Sequence, residues 1–241
     1  MVIFVMWDLA IRVFRIAPYL LPPPLTVLET IVQNWSTLGV HTLWTTGTIL
    51  AGFVSAAVVA IPLAMLIVMS PVLGKLLYPP IVATQAIPKI ALAPLFIVWF
   101  GFGMMPKVTV AFLIAFFPIM IDTIVGLRSI DPGMVQLARS MGAPPRRIFL
   151  KLRLPNALPM IFSGLKVASA LAVVGALTGE FVGSDRGLGY VLVQASGNLN
   201  TALLFSALVI LSIVAMAFFY AVELVERILI PWHVSQRAHP A

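Results

Sequence analysis

Long apolar runs separated by short polar segments dominate the pattern along this chain. A membrane-spanning helix needs about 20 mostly apolar residues, and five stretches provide them. These stretches are residues 42–69, 76–102, 108–127, 165–182 and 203–230. The pattern predicts an all-α integral membrane protein with five spans, or six if the N-terminal segment also crosses. Prolines are expected to kink the first stretch and to break the second, because proline interrupts helical hydrogen bonding. They are Pro62 in the first stretch, and Pro79, Pro80, Pro88 and Pro94 in the second.

The first 40 residues are predicted to form a separate N-terminal part. Residues 1–16 are apolar but short and are interrupted by charged side chains, so we expect a short or partial first helix. Residues 26–35 have the pattern of an amphipathic surface helix. The remaining predicted boundaries are a membrane domain at 41–232, containing a loop at 131–155, and a cytoplasmic tail at 233–241.

Composition supports a membrane protein, since 61% of the 241 residues are hydrophobic and only 10% are charged. Soluble domains carry about 25% charged residues, so lipid must cover much of this surface. The absence of cysteine excludes disulfides and thiolate metal sites. The three histidines are isolated in the sequence, and we expect no metal site. The net charge of +7 is better explained by the orientation of membrane loops than by nucleic-acid binding.

The link between the third and fourth apolar stretches is predicted to be cytoplasmic, because Lys and Arg are enriched in cytoplasmic loops. It holds six of the fifteen basic residues: Arg128, Arg139, Arg146, Arg147, Lys151 and Arg153. Alternation of the spans then puts Lys75 on the cytoplasmic side, with Lys107 and Arg186 outside.

Residues 131–155, inside this link, predict a helix, a glycine turn and a second helix. Asp131 followed by Pro132 is typical of a helix start, and Gly142 is typical of a helix end. The first helix would carry Met134, Leu137, Ala138 and Met141 on one face. The second would open at Pro144 and Pro145, carry an apolar ridge of Ile148, Phe149 and Leu152, and close at Leu154 and Pro155. Such an element suits docking into a groove of a partner protein. The alternative is a basic helix resting on anionic lipid.

Polar residues within the apolar stretches are the candidates for a transport pathway. Gln85 and Lys89 flank Pro88, and helix breaks at membrane depth are tolerated where they line a cavity. Glu180 is a further pathway candidate, whereas Asp122 is expected to cap or bond a neighbouring helix. The alternative for Lys89 is helix packing with its amine reaching toward the interface; Lys166 is expected to do the same from its helix end.

Small residues recur at four-residue spacing in the fourth stretch. They are Gly175 and Gly179, with Ala168, Ala172 and Ala176. This spacing allows close approach of helices, either at a dimer interface or within one subunit.

The segment around Gly142 resembles the cytoplasmic loop of the permease subunits of bacterial binding-protein-dependent ABC importers. Their pattern is Glu-Ala-Ala, three residues, Gly, nine residues, Ile, any residue, Leu-Pro. Here Ala138, Gly142, Leu154 and Pro155 match, while the usual Glu, Ala and Ile are replaced by Gln136, Leu137 and Leu152. The stretches AIPKIALAPLFIVWFGFG, FFPIMIDTIVGLRSIDP and GEFVGSDRGLGYVL are similar to the nitrate, sulfonate, taurine and bicarbonate branch.

The resemblance implies a type I importer fold in the bacterial cytoplasmic membrane, with a second permease subunit as a homodimer partner. It also implies an ATPase dimer that binds ATP and Mg, and an external substrate-binding protein. The residues expected to couple to the ATPase are Gln136, Ala138, Arg139, Gly142, Ala143, Arg146, Phe149, Leu152, Leu154 and Pro155. The chain has no GxxxxGK[ST] phosphate loop, so we expect it to be a transport subunit without a cofactor of its own rather than an enzyme.

By the same resemblance, the expected substrate is a small anion such as a sulfonate, taurine, nitrate or bicarbonate. An uncharged heterocycle, such as a pyrimidine or vitamin precursor, is the alternative. A self-contained secondary carrier is disfavoured, because residues 58–102 and 167–190 do not form the inverted repeat that such carriers use.

Overall fold

The computed structural model describes residues 2–15 and 17–231, and the regular structure in that part of the chain is helical. The N-terminal helices are α1 (Val2–Phe14) and α2 (Pro24–Gln33). The helices that follow are α3 (Trp35–Met69), α4 (Pro71–Ala83), α5 (Ala93–Phe100), α6 (Met104–Arg128), α7 (Pro132–Ser140), α8 (Pro145–Ile148), α9 (Leu154–Gly183), α10 (Leu188–Gly197) and α11 (Thr201–Leu229). The predicted tail at 233–241 lies outside the described residues.

Four helical segments of the described chain are long and apolar enough to cross a membrane. They are α3, α6, the continuous run Pro145–Gly183, and α11. A fifth crossing is formed if the bent pair of Pro71–Ala86 and Lys89–Phe100 counts as one span. The predicted all-α membrane fold is confirmed. The predicted N-terminal helices are present as α1 and α2, and the Trp7 ring of α1 lies 5.8 Å from the Phe205 ring of α11.

The break in the second apolar stretch lies at Pro88 alone. Pro79 and Pro80 lie inside α4, and Pro94 starts α5, where a proline is well tolerated. Ile87 is extended, with φ −74° and ψ 126°, because a following proline disfavours the helical conformation. The two halves are bent by 84° at this point. The prediction that all four prolines break the segment is therefore wrong. Pro62 lies within the single helix α3, and the kink expected there stays a prediction.

Helix α9 packs closely on α6 through its small residues. A Cβ added to Gly175 would lie 2.6 Å from the Cα of Ala111, and one added to Gly179 would lie 2.7 Å from the Cα of Lys107. Ala168, Ala172 and Ala176, on the same helix, are fully buried. The two alternatives for this small-residue spacing were a dimer interface and packing within one subunit. In the structure these small residues pack α9 against α6 of the same subunit.

Two features of the C-terminal half were not predicted from the sequence. Helix α10 begins at Leu188, in the link between the fourth and fifth apolar stretches. Lys166, which was expected to reach toward the membrane interface, has its amine 2.7 Å from the carboxylate of Glu226 on α11. The sequence did not indicate this ion pair, and the reach of Lys166 toward the interface stays a prediction.

Candidate coupling segment and membrane cavity

Residues 131–155, which we call the coupling segment, connect α6 to α9. The Asp131 carboxylate accepts a hydrogen bond of 2.7 Å from the Gly133 amide, so it caps the free N–H groups at the start of α7. Pro132 occupies the first turn, as predicted. At the base of the segment, the Asn156 side chain donates to the Ser129 hydroxyl at 3.1 Å, which ties the end of the segment to its beginning.

The turn at Gly142 ends α7. Gly142 has φ +76°, a left-handed conformation that costs other residues about 1–2 kcal/mol. The Ala143 amide donates to the Ala138 carbonyl at 3.0 Å, and the Gly142 amide donates to the Arg139 carbonyl at 2.9 Å. This pair of hydrogen bonds satisfies carbonyls at the helix end and fixes the direction of the chain. The predicted helix, glycine turn and second helix are confirmed.

A small apolar core holds the two helices of the segment together. It contains Ile130, Val135 and Ile148 as buried residues, with Ala138, Ala143 and Leu152 packed against them. Phe149 is also buried and packs with Leu127 of α6 and Ala157 of α9. The predicted ridge of Ile148, Phe149 and Leu152 therefore faces the body of the protein. The expectation that this ridge presents apolar knobs to a partner is wrong, because these side chains are needed to fold the segment.

The second helix does not close at Leu154 and Pro155, contrary to the prediction. A wider, π-helical turn spans Phe149–Arg153 and leads directly into α9, which begins at Leu154. Pro155 follows this turn within one continuous helical run, Pro145–Gly183, where it cannot donate an amide hydrogen bond to the preceding turn. Wider turns of this kind take up irregularities within continuous helices. The second half of the coupling segment is consequently a continuous helical extension of a membrane span.

The exposed large apolar residues of the coupling segment lie on α7, at its C-terminal cap residue Met141, and at Leu150 in the π-helical turn, which is 48% exposed. Met134, Leu137 and Met141 are 52%, 63% and 79% exposed. The remaining predicted coupling residues have mixed positions: Gln136, Arg139, Gly142 and Arg146 are exposed, whereas Ala138, Ala143, Leu152, Leu154 and Pro155 are partly buried. The outward surface is therefore built from the apolar face of α7 and basic side chains.

A cavity of about 340 Å³ lies beside the bend between α4 and α5. Gln85, Lys89 and Asp122 contribute its polar side chains, and its apolar lining comes from Ile114, Phe117, Pro118, Ile121 and Leu171. The amine of Lys89 lies 4.2 Å from the centre of the Phe117 ring, a cation–π contact. The structure thus brings two predicted pathway residues together. Asp122 joins them there, a position that the sequence prediction of a cap or helix bond missed.

Glu180, the third pathway candidate, lies in a different place. It is 2% exposed and accepts hydrogen bonds from the Thr45 hydroxyl, at 2.9 and 3.0 Å, and from the Gly189 amide at 2.7 Å. Thr45 also accepts from the Leu188 amide at 2.7 Å, and His41 accepts from the Gly187 amide at 3.0 Å. Glu180 therefore fastens the start of α10 to α3 and α9 and does not face an open cavity of the described chain.

The sequence prediction missed the partners of Glu180. The available signal was the presence of isolated polar residues, such as His41 and Thr45, in an apolar stretch. Polar groups at such positions need an internal hydrogen-bond partner.

Residues 56–233 match a family described as the inner membrane component of binding-protein-dependent transport systems. The chain belongs to this family. It is therefore a multi-pass permease of the cytoplasmic membrane and a transport component, as the resemblance implied. Membership in a multi-component system removes support for a self-contained carrier.

Relatives of this permease cover nearly its full length. It is 36% identical over 237 residues to the formylaminopyrimidine transport permease protein ThiX of Halalkalibacterium halodurans, covering 98% of this chain and 94% of the relative. It is 37% identical to the riboflavin transport system permease protein RibX of Chloroflexus aurantiacus, covering 98% and 88%. Identity to the taurine transport system permease protein TauC of Escherichia coli is 27%, covering 96% and 87%.

A solved structure has the same fold. The permease superimposes on a chain of the MetNI methionine ABC transporter, in an inward-facing crystal form, with a TM-score of 0.69 and 23% identity. The superposition covers 80% of this permease and 96% of that chain. The predicted ABC importer fold is therefore confirmed.

Proposed function

We propose that this permease is the membrane-spanning subunit of an ATP-driven importer and that its coupling segment docks on a separate ATPase. The observation that carries the proposal is the bent, internally packed segment itself. It extends directly from α9, is closed at its base by Asn156 and Ser129, and presents Met134, Leu137 and Met141 outward. A rigid link between an external motor and the spans is what alternating access requires. ATP and Mg would be bound by the ATPase.

The partners that follow from this function are a second permease subunit, proposed to be another copy of this chain, and an external substrate-binding protein. The bend at Pro88 and the cavity beside it form the proposed pathway. Non-helical backbone at membrane depth is stable where it borders such a cavity. Gln85 and Lys89 would contact the substrate there, and Asp122 would face it from α6.

The proposed substrate is a small organic solute, for which two candidates have specific support. Relatives named for taurine and aliphatic sulfonates, together with Lys89 in the cavity, favour a small anion. Relatives named for formylaminopyrimidine and riboflavin favour a heterocycle. Uptake of labelled taurine, with and without an excess of formylaminopyrimidine, by cells that express the complete importer distinguishes the two.

The coupling proposal is tested by co-purification from membranes. Leu137→Asp and Met141→Asp place charges on the outward face of α7, and we expect the ATPase to be lost from the purified complex. Leu199→Asp is the matched control, because Leu199 is 85% exposed near the far end of the fold and lies outside the coupling segment. Retention of the ATPase by the α7 variants, or equal loss in the control, would contradict the proposal.

A further inference from the structure

A groove of about 570 Å³ lies between the α3–α4 junction and the inner side of the coupling segment. Its apolar wall consists of Val68, Met69, Pro71, Val135, Pro145, Ile148 and Phe149. Three arginines, Arg139, Arg146 and Arg153, complete the lining. Among the described residues no acidic side chain lines this groove. It therefore combines an apolar wall with a concentrated positive charge.

The three arginines are available to bind an anion. Within residues 2–15 and 17–231, none of them forms an ion pair. Arg139 and Arg153 also border an adjoining cavity of about 320 Å³, together with Arg128. Guanidinium groups bind phosphate oxygens through paired hydrogen bonds, so a phosphate is the anion that this arrangement fits best.

The position of the groove indicates the source of the phosphate. Met69 ends the α3 span and Pro71 begins the next apolar helix, so the groove opens where two spans leave the bilayer. Basic pockets between membrane helices on the cytoplasmic side bind phospholipid head groups. The apolar wall that continues from α3 allows acyl chains to accompany the head group, which a free phosphate ion would not use.

We propose that this groove binds the head group of an anionic phospholipid of the inner leaflet. The inference rests on the proposed function, which puts the coupling segment on the cytoplasmic side. Arg139, Arg146 and Phe149, which the resemblance placed among the ATPase-coupling residues, line this groove, and the proposal assigns them to the lipid instead. The ATPase would contact the other side of the segment, at Leu137 and Met141. A bound lipid would connect the coupling segment to the α3–α4 junction and stabilise its position against the spans.

The test uses the purified importer, with its ATPase, in detergent. Native mass spectrometry counts the phosphatidylglycerol and phosphatidylethanolamine molecules retained. We expect phosphatidylglycerol to be retained preferentially by the natural protein. In the double variant Arg139→Gln and Arg153→Gln, its affinity should fall by about thirtyfold, because the two basic residues together contribute about one and a half decades to the binding of an anionic lipid.

The matched control is Arg147→Gln with Lys151→Gln, which removes the same charge from the same segment outside the groove lining. We expect this control to retain phosphatidylglycerol. The variant Arg139→Lys with Arg153→Lys keeps the charge without the paired hydrogen bonds, and should show an intermediate affinity in a folded complex. Intermediate lipid affinity in a folded Lys double would show that the loss in the Gln double is a loss of binding and not of folding.

Three results would overturn the lipid site: equal losses in the two Gln doubles, equal retention of the two lipids by the natural protein, or displacement of the lipid by glycerol 3-phosphate, which lacks acyl chains. The ATPase band in the same sample reports separately on the proposed function. Absence of the ATPase band from the sample of the natural protein would contradict the proposed coupling to an ATPase, independently of how many lipid molecules are retained.

Discussion

At the residue scale, the charged side chains between the spans lower the cost of burial in different ways. Glu180 accepts hydrogen bonds from Thr45 and the Gly189 amide. Lys166 pairs with Glu226, and Lys89 lies over the Phe117 ring beside a cavity. Charged groups inside a membrane are costly and usually pair or face a cavity. The first two arrangements hold helices together, whereas the third leaves its charge accessible to a solute.

The Lys166–Glu226 pair predicts a measurable stability effect. Glu226→Gln would leave Lys166 unpaired among the helices, and we expect the purified complex to lose about 3 kcal/mol of unfolding free energy. The double change Lys166→Met with Glu226→Leu should recover most of this loss, because no unpaired charge remains. Thermal unfolding in detergent provides the measurement.

The control for this experiment is Glu223→Gln. Glu223 forms an exposed pair with Arg227 at 2.6 Å, one turn away on the same helix, and exposed pairs contribute little. If Glu226→Gln and Glu223→Gln lower the unfolding temperature equally, the pair between α9 and α11 has no special role.

Gly142 gives a second prediction at this scale. A Cβ at Gly142 would meet no atom within 4 Å, so only the left-handed backbone opposes Gly142→Ala. We expect this change to destabilise the turn by about 1 kcal/mol and to speed hydrogen exchange in residues 131–155. Gly142→Asn should have a smaller effect, since Asn tolerates this conformation better.

Gly39→Ala is the comparison for Gly142→Ala. Gly39 also has no atom within 4 Å of an added Cβ, but it lies within α3 in an ordinary conformation. Its replacement should leave exchange in the coupling segment unchanged. Unchanged exchange in both variants would mean that the backbone conformation at residue 142 does not determine the shape of the turn.

At the element scale, the hydrophobic pattern predicted the spans well because lipid imposes a simple requirement on length and polarity. Local chemistry also predicted the helix ends at Asp131 and Gly142. The pattern could not indicate which way Ile148 and Phe149 face, because an apolar ridge has the same spacing whether it contacts a partner or its own body. It also missed α10, whose Leu188 and Gly189 amides donate hydrogen bonds to the distant residues Thr45 and Glu180.

The bend between α4 and α5 gives a prediction about transport. Lys89→Gln removes the cavity's positive charge, and we expect substrate uptake to fall while the ATPase still co-purifies. Lys75→Gln is the control, since Lys75 is exposed on α4 and does not line the cavity. A fall in uptake for both variants, or for neither, would argue against this cavity as the pathway. Uptake of radiolabelled substrate into cells provides the readout.

At the scale of the whole molecule, the fold has two ends, and the residues at each end agree with the sidedness predicted from the distribution of Lys and Arg. At one end, Lys107 donates to Ser184 and to the Arg186 carbonyl, and Glu180 holds α10. At the other end, the coupling segment follows Arg128, whose guanidinium lies 5.4 Å from the centre of the Tyr78 ring. The proposed ATPase and lipid sites both require this second end to be cytoplasmic.

Because the chain contains no cysteine, single-cysteine variants can report this sidedness directly. Ser140→Cys lies on exposed α7, and Asp185→Cys lies in the exposed turn before α10. A membrane-impermeant maleimide should label Asp185→Cys in intact spheroplasts and should label Ser140→Cys only after the membrane is opened. The reason is that the Lys and Arg residues around α7 favour retention on the cytoplasmic side. Labelling of Ser140→Cys in intact spheroplasts would show that the protein has the opposite orientation in the membrane. The ATPase and the inner-leaflet lipid would then lie on the wrong side of the membrane to reach their sites.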